Sequence, residues 1–228
     1  MLGSFVRHGL SQSDAESEIL VQILAGSDTT ATTIRATILH LITSPRVLTR
    51  LLSEPDAANI TTRPWDQIIS DSEARSLPYL QAVIKEGLRI FPPAVGLVSK
   101  NVPAATGDTY AGVYLPPGTK VGFCEWGIMR NASVWGDDAE EFRPERWLGI
   151  DAEKLREMET TLELVFGSER WQCLGLNVAL MELNKVFMEL LRFEFVFLRL
   201  GEPWKSKSAG LFVQSDLWIK GYRRAVAE

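Results

Sequence analysis

Histidine and cysteine are scarce in this chain, because each occurs only twice in 228 residues. His8 and His40 are too few for a histidine-built zinc or iron site. Cys124 and Cys173 do not make a disulfide framework of the kind that small secreted proteins use, which favours a reducing compartment. Any bound metal must therefore be held by very few protein atoms. On this evidence Cys173 is a buried packing residue, a redox thiol or a metal ligand.

Long apolar runs and an excess of positive charge are also missing. The first residues, MLGSFVRHGLSQSD, lack the apolar region of a signal peptide, and the next apolar run, Ile19 to Ala25, is too short to span a bilayer. The net charge of -5 disfavours a nucleic-acid partner, which would call for a basic face. The hydrophobic content of 46% and charged content of 23% are typical of a globular protein.

A long helix with an unusual centre is predicted near the N-terminus. Ser13 and Glu16 have capping-box spacing, and apolar residues then recur at helical spacing until Ser44-Pro45, over about 30 residues. The centre of this helix reads AGSDTTATT, a run of poor helix formers whose side chains compete for backbone hydrogen bonds. Such a conflict indicates either a functional site or a close helix crossing made by small residues.

A second helix is predicted over SLPYLQAVIKEGLRIFPP, with Ser76 as its cap and Pro92-Pro93 at its end. Glu86 and Arg89 are three residues apart in it and share one helix face. Taken alone, such a pair is most often a solvated surface pair that contributes little to stability.

The rest of the chain combines short β-rich runs with one more strong helix. Runs between residues 95 and 125, broken by ATGD and PPGT, predict a small antiparallel sheet, and EFRPERWL is predicted to be a loop. LGLNVALMELNKVFMELLRF predicts a buried amphipathic helix, and FEFVFL and DLWIKGYRR predict hairpin strands. The predicted fold class is mainly α with small antiparallel β-sheets.

Four of these motifs, in this order, resemble the C-terminal half of the cytochrome P450 family, the haem-thiolate monooxygenases. AGSDTT resembles the family's oxygen-binding helix motif, and EGLR, which ends at Arg89, resembles its ExxR signature. FRPERW resembles the loop that supplies Arg146, and FGSERWQCLG resembles the haem-binding loop. ERWQCLG and VALMELNKVF are most similar to fungal members. The resemblance implies one partial haem-thiolate monooxygenase domain over residues 1–228, with the N-terminal half of the fold absent.

The resemblance implies a role for each motif. Cys173 is implied as the thiolate ligand of haem iron, which favours O–O cleavage. Asp28 and Thr29 are implied as catalytic residues, an acid–alcohol pair that loosens the helix into a bulge, admits water and delivers protons. The structural triad beneath the haem, expected to be buried, consists of Glu86, Arg89 and Arg146. The other residues implied to contact the haem are Ala25, Gly26, Lys100, Phe166, Gly167, Arg170 and Gly175.

The function implied by the resemblance is a haem-dependent monooxygenase that inserts one oxygen atom of O2 into a small lipophilic organic substrate. Electrons are expected from an NADPH-dependent cytochrome P450 reductase. Full-length members are expected at the endoplasmic reticulum membrane, whereas this chain has no anchor, is expected to be cytoplasmic if expressed alone, and is expected to be inactive alone. The alternative is a truncated, non-catalytic remnant with weak or no haem binding.

Three departures from the family pattern surround the predicted haem site. Glu169 stands four residues before the cysteine, where most relatives have glycine; if the turn requires a positive φ, a non-glycine residue there costs about 1 kcal/mol or more. Its carboxylate would also repel a thiolate. Arg170 lies one place earlier than in the widespread pattern, and Lys100 replaces an arginine, so it keeps the charge but loses the guanidinium fork. We therefore expect Glu169 to weaken haem binding.

Overall fold

The computed structural model describes residues 2–97, 99–103 and 105–224. Val98 and Ala104, in the predicted β-rich segment, lie outside the described residues, as do Met1 and residues 225–228 of the predicted domain. The described residues form nine α-helices, three short 3-10 helices and eight strands. The predicted fold class, mainly α with small antiparallel sheets, is confirmed.

The secondary structure follows the chain in a helical block, a β-rich middle, a second helical block and a β-rich end. The helices are α1 (Leu2–Arg7), α2 (Gln12–Ile42), α3 (Pro45–Ala57), α4 (Asp71–Arg75), α5 (Pro78–Ile90), α6 (Glu125–Ile128), α7 (Ala132–Trp135), α8 (Ala152–Glu163) and α9 (Leu176–Leu190). The 3-10 helices are Pro144–Trp147, Leu164–Phe166 and Glu169–Trp171. The strands are β1 (Lys100–Asn101), β2 (Asp108–Tyr110), β3 (Val113–Leu115), β4 (Lys120–Val121), β5 (Phe193–Phe197), β6 (Lys205–Ser208), β7 (Phe212–Ser215) and β8 (Ile219–Arg223).

Helix α2 has the predicted length, 31 residues, but its cap was predicted wrongly. The N-cap is Ser11 rather than Ser13, and the Ser11 hydroxyl accepts a hydrogen bond from the backbone N–H of Asp14 at 3.2 Å. Gly9, at a φ of 75°, reverses the chain just before this cap. Ser11 with Asp14 and Ser13 with Glu16 both have the serine-to-acid spacing of a helix N-terminus. The pair next to Gly9 begins the helix.

The predicted bulge in the centre of α2 is not present, because the helix is α-helical from Gln12 to Ile42. The Thr29 hydroxyl donates to the carbonyl oxygen of Ala25 at 2.7 Å. A carbonyl oxygen has two lone pairs, so this bond does not require the backbone ladder to open.

Helix α5 is the centre of the core, since ten of its thirteen residues are buried. Ser76 does not cap it, contrary to the prediction; its hydroxyl donates to the carbonyl oxygen of Glu73 and closes α4. The carboxylate of Glu54 on α3 accepts hydrogen bonds from the N–H groups of Tyr79, at 2.8 and 2.9 Å, and Leu80, at 3.2 Å. A side chain distant in sequence therefore satisfies the free amides of α5.

Helices α2 and α5 cross where Thr37 meets Gly87. A Cβ placed on Gly87 would lie 2.0 Å from the Thr37 hydroxyl oxygen, so only glycine allows this approach. Thr32 and Thr33 are buried on the same half of α2, whereas the preceding Ala25-to-Asp28 segment is exposed. The small-residue run of α2 therefore has a buried end, where the Thr32 hydroxyl donates to Gln214 Oε1 at 2.9 Å, and an open surface. The close helix crossing lies just beyond the run, at Thr37.

The strands form four antiparallel pairs. The predicted sheet of the middle region is two separate pairs, β1 with β4 and β2 with β3. The turn at Ala111-Gly112 closes β2 on β3, and this hairpin lies in sequence between β1 and β4. Strands β5 and β8 pair from Phe193↔Arg223 to Phe197↔Ile219, with the β6–β7 hairpin between them in sequence. The predicted loop EFRPERWL contains the 3-10 helix Pro144–Trp147.

Candidate functional site

A fully buried carboxylate, Glu86, joins helix α5 to the 3-10 helix Pro144–Trp147. It forms ion pairs with Arg89, at 2.8 Å, and with Arg146, at 3.0 Å. It also accepts hydrogen bonds from the Trp147 indole and the Arg143 backbone N–H, both at 2.9 Å. The three residues predicted as a triad lie together, and the surface-pair interpretation of Glu86 and Arg89 is wrong.

Arg89 uses its remaining N–H groups on backbone carbonyls, and Arg146 uses its own on backbone carbonyls and on the Asp138 carboxylate, at 3.0 Å. Arg89 donates to the carbonyl oxygens of Met129 at 2.8 Å and Ala139 at 2.6 Å. Arg146 donates to that of Trp135 at 2.7 Å. Because these carbonyls belong to the segment between α6 and the 3-10 helix, the triad adds side-chain hydrogen bonds to a stretch of chain whose own backbone bonds are short turns.

The Cys173 loop connects α8 to α9 and is held by its own backbone. The N–H of Cys173 donates to the carbonyl oxygen of Phe166 at 2.6 Å, while Phe166 packs against the core. Gly167 has a φ of 73°, and a Cβ there would lie 2.7 Å from the carbonyl oxygen of Trp171. The thiol of Cys173 is free and exposed, so the packing interpretation is wrong. Gly175 is the N-cap of α9.

Glu169 has a φ of 51°, in the left-handed region that glycine adopts freely. The turn therefore places Glu169 at a positive φ, which was the condition for the expected backbone strain. The side chain is exposed, and among the described residues its carboxylate forms no ion pair with the neighbouring Arg170.

The α2 segment predicted to lie over the haem is an open surface. Ala25, Gly26 and Asp28 are exposed, and Thr29 is half-buried. A Cβ placed on Gly26 would meet nothing within 4 Å. This part of the helix can therefore be approached closely by another group.

Trp171 and Trp147 are site residues that the sequence analysis missed. Lys100 Nζ lies 4.2 Å, and Arg170 Cζ 4.8 Å, from the centroid of the Trp171 ring. Trp147 donates to the triad carboxylate and stacks at an angle on Trp135, with ring centroids 5.5 Å apart. Both tryptophans lie inside motifs already identified, so their positions within FGSERWQCLG and FRPERW were the available signal.

Burial shifts the pKa values of two ionisable groups outside the triad, His40 and Glu125. Burial lowers the pKa of His40 to about 4; Glu86 opposes this shift and nearby arginines reinforce it. Burial alone raises the pKa of Glu125 to about 7, and its Oε2 has no hydrogen-bond partner among the described residues. His40 stacks on Phe142 at 4.8 Å. His40 is therefore neutral near neutral pH, whereas Glu125 is neutral only below about pH 7.

Comparison with known proteins identifies the family. A family model described as Cytochrome P450 matches residues 5–219, nearly the whole chain. The chain belongs to the cytochrome P450 family. The expected resemblance is thereby confirmed.

The cytochrome P450 relatives of this chain include several fungal proteins. It is 46% identical over 227 residues to cytochrome P450 monooxygenase ABA1 of Pyricularia oryzae (strain 70-15), covering 99% of this chain and 44% of that protein. It is 42% identical over 221 residues to cytochrome P450 monooxygenase aba1 of Botryotinia fuckeliana (strain B05.10), covering 96% and 43%. A cytochrome P450 monooxygenase of Aspergillus terreus is 44% identical over 170 residues, covering 75% and 34%. The chain thus spans less than half the length of these relatives.

The cytochrome P450 family implies a haem cofactor, and the residues present fit one. The exposed thiol of Cys173 would hold the iron, and Lys100 and Arg170 are cations that would face the haem carboxylates. The open surface over Gly26 leaves room for a flat group.

No helix of the described residues is long and apolar enough to cross a membrane.

Proposed function

We propose that this chain is part of a haem-dependent monooxygenase that inserts one oxygen atom of O2 into a small lipophilic substrate. The observation that carries the proposal is the free, exposed thiol of Cys173 on a fixed loop, in a chain that belongs to the cytochrome P450 family. The matched fungal relatives are named monooxygenases, which supports the reaction class. For the whole protein, electrons from an NADPH-dependent reductase and a location at the endoplasmic reticulum membrane belong to the same proposal.

Cys173 is the iron ligand in this proposal. A bound haem with a thiolate ligand supplies the cleavage of the O–O bond, because the thiolate donates electron density to iron. The chain's own part is to hold the sulfur in one place. The 2.6 Å bond from the Cys173 N–H to Phe166 and the turn at Gly167 fix the loop, and helix α9 begins directly after Gly175.

Asp28 and Thr29 handle protons in this proposal. The Thr29 hydroxyl donates to Ala25, which leaves the lone pairs of its oxygen available to accept a hydrogen bond from a water molecule. Asp28 is exposed, so it can exchange protons with solvent. Thr29 then orients a water molecule, which carries the proton, toward the open surface of α2. The helix itself stays intact.

The triad of Glu86, Arg89 and Arg146 has a structural role in this proposal. Its three members are buried away from solvent, and most of their hydrogen bonds go to backbone groups of residues 129–143. Such a network stabilises the segment that leads toward α8 and the Cys173 loop.

The two cysteines provide a matched test of the proposal, since both are free and exposed. The purified chain is reconstituted with haem, reduced and exposed to carbon monoxide, and its absorption spectrum is recorded. We expect a red-shifted, thiolate-type Soret band that Cys173→Ala abolishes and Cys124→Ala preserves. Loss of the band in Cys124→Ala alone would contradict the assignment of the ligand.

A non-catalytic remnant with weak haem binding is the second candidate, and the left-handed backbone of Glu169 favours it. A strained turn and a carboxylate four residues before the cysteine both oppose thiolate ligation. The same spectrum separates the two candidates: absence of haem, or a band without thiolate character, supports the remnant.

A further inference from the structure

The two histidines of the chain lie in different surroundings. His8 directly follows α1 and is exposed, whereas His40 lies in the last turn of α2 and is half-buried. The His40 ring stacks on Phe142, with ring centroids 4.8 Å apart and an angle of 11° between the ring planes. Among the described residues, neither ring nitrogen of His40 forms a hydrogen bond. The stack on Phe142 is therefore the specific contact of this imidazole.

Phe142 belongs to the segment that the buried triad holds. The carbonyl oxygen just before it accepts a hydrogen bond from Arg89 at 2.8 Å, and the N–H just after it donates to Glu86 at 2.9 Å. The stack with His40 therefore joins the end of α2 to residues 129–143. This stretch has only short turns of its own, so each side-chain contact contributes to holding it in place.

The surroundings of the His40 ring oppose a positive charge on it. Burial has the largest effect; among the charged groups, Glu86 on α5 favours the imidazolium, whereas Arg130, which follows α6, and Arg89 on α5 oppose it. One carboxylate thus faces the ring together with two guanidinium groups, and Phe142 offers no acceptor. A proton on His40 would add a third positive charge to this cluster, with no partner for its N–H groups.

We propose that His40 makes the contact between α2 and residues 129–143 sensitive to acid. The ring is half-buried, so a proton from solvent can reach it. Protonation then separates the ring from Phe142, because the imidazolium is hydrated only outside the contact. The released segment leads toward α8 and the Cys173 loop, so acid loosens the scaffold on the path to that loop. This opening needs no bound haem, and the haem-free chain is sufficient to test it.

The test measures local opening of the full chain at pH 7 and pH 5 by amide hydrogen exchange, corrected for the intrinsic pH dependence of exchange. The stability of the closed contact is fully present above the ordinary imidazole pKa and is lost as the pH falls toward 4. With a pKa of about 4 in the closed contact and about 6.5 in the open one, the open fraction of residues 129–143 should rise about 20-fold between these pH values.

His40→Gln, which cannot be protonated, should lack this 20-fold component. The readout is the difference between this variant and wild type, because Glu125 titrates in the same range in both. His8→Gln is the matched control and should behave like wild type, since His8 is exposed. If His40→Gln does not fold, His40→Phe, which keeps an aromatic ring against Phe142, takes its place.

A proton NMR titration of the imidazole signals is the second measurement. In His8→Gln a single imidazole remains, and we expect it to titrate far below the ordinary pKa of about 6.5. Titration of His40 at the ordinary value would overturn the proposal. The same pH dependence of opening in wild type and in the His40 variant would also overturn it, as would loss of that dependence in His8→Gln.

Discussion

Glu86→Gln is expected to lower the free energy of unfolding by about 3–5 kcal/mol, because it removes the charge from a fully buried ion network. The substitution preserves the size and shape of the side chain. Its effect therefore comes from charge and hydrogen bonding rather than from a cavity.

The magnitude follows from the donors that surround the carboxylate. Glu86 Oε1 accepts from Arg89 Nη2, Arg146 Nε and the Arg143 N–H, and Oε2 accepts from Arg89 Nε and Trp147 Nε1. A glutamine amide would place an NH2 group against donors at one of these oxygens. Each buried donor left without an acceptor costs roughly 1–3 kcal/mol, and two guanidinium groups would also lose their counter-charge.

Glu159→Gln is the matched control, since Glu159 pairs with Lys85 on the same helix, α5, but is partly exposed. It should cost less than about 1 kcal/mol. Urea unfolding of both variants is followed by far-ultraviolet circular dichroism and by tryptophan fluorescence. Stabilities of Glu86→Gln and wild type that agree within 1 kcal/mol would refute the argument that the buried network holds residues 129–147 in place.

Two further predictions concern a strained turn and a buried acid. Glu169→Gly should raise haem occupancy, measured from the ratio of Soret to protein absorbance, because it relieves the left-handed φ of 51° and removes a carboxylate; equal or lower occupancy would show that the loop has adapted to glutamate. Glu125 is 3% exposed and burial raises its folded pKa to about 7, so its stabilising contribution is fully present below about pH 4.5 and is lost as the pH rises through 7. Glu125→Gln should therefore be more stable than wild type at pH 8, by up to about 3 kcal/mol, and show a smaller gain at pH 5 in urea titrations; an equal gain at both values would contradict this assignment.

The sequence was sufficient for the features that depend on local pattern. The length of α2, the end of α5 before the proline pair and the presence of α9 follow from periodicity and from proline. The triad was predicted only through the resemblance to the cytochrome P450 family, since the spacing of Glu86 and Arg89 alone indicated a surface pair. These helix features can be predicted from a single sequence because each depends on residues that are close together in the chain.

The features that sequence analysis missed depend on contacts between distant residues. The amides of α5 are capped by Glu54, which lies more than twenty residues earlier, so no local pattern reveals it. The division of the middle strands into two pairs depends on the pairing of Lys100 with Val121, which are distant in sequence. The sequence does not distinguish Trp171 from other exposed tryptophans, because its contact with Lys100 of β1 is visible only in the fold.

The buried Glu86 network and the surfaces around the predicted haem site differ in their exposure to solvent. Every hydrogen-bond partner of the Glu86 carboxylate comes from residues 89–147, and the network is closed to solvent. The thiol of Cys173 and the α2 surface around Gly26 are exposed, beside apolar side chains such as Leu24, which is 58% exposed. Folding and haem binding are therefore separable: triad variants should destabilise the chain with or without haem, whereas Cys173→Ala should leave the unfolding of the haem-free chain unchanged.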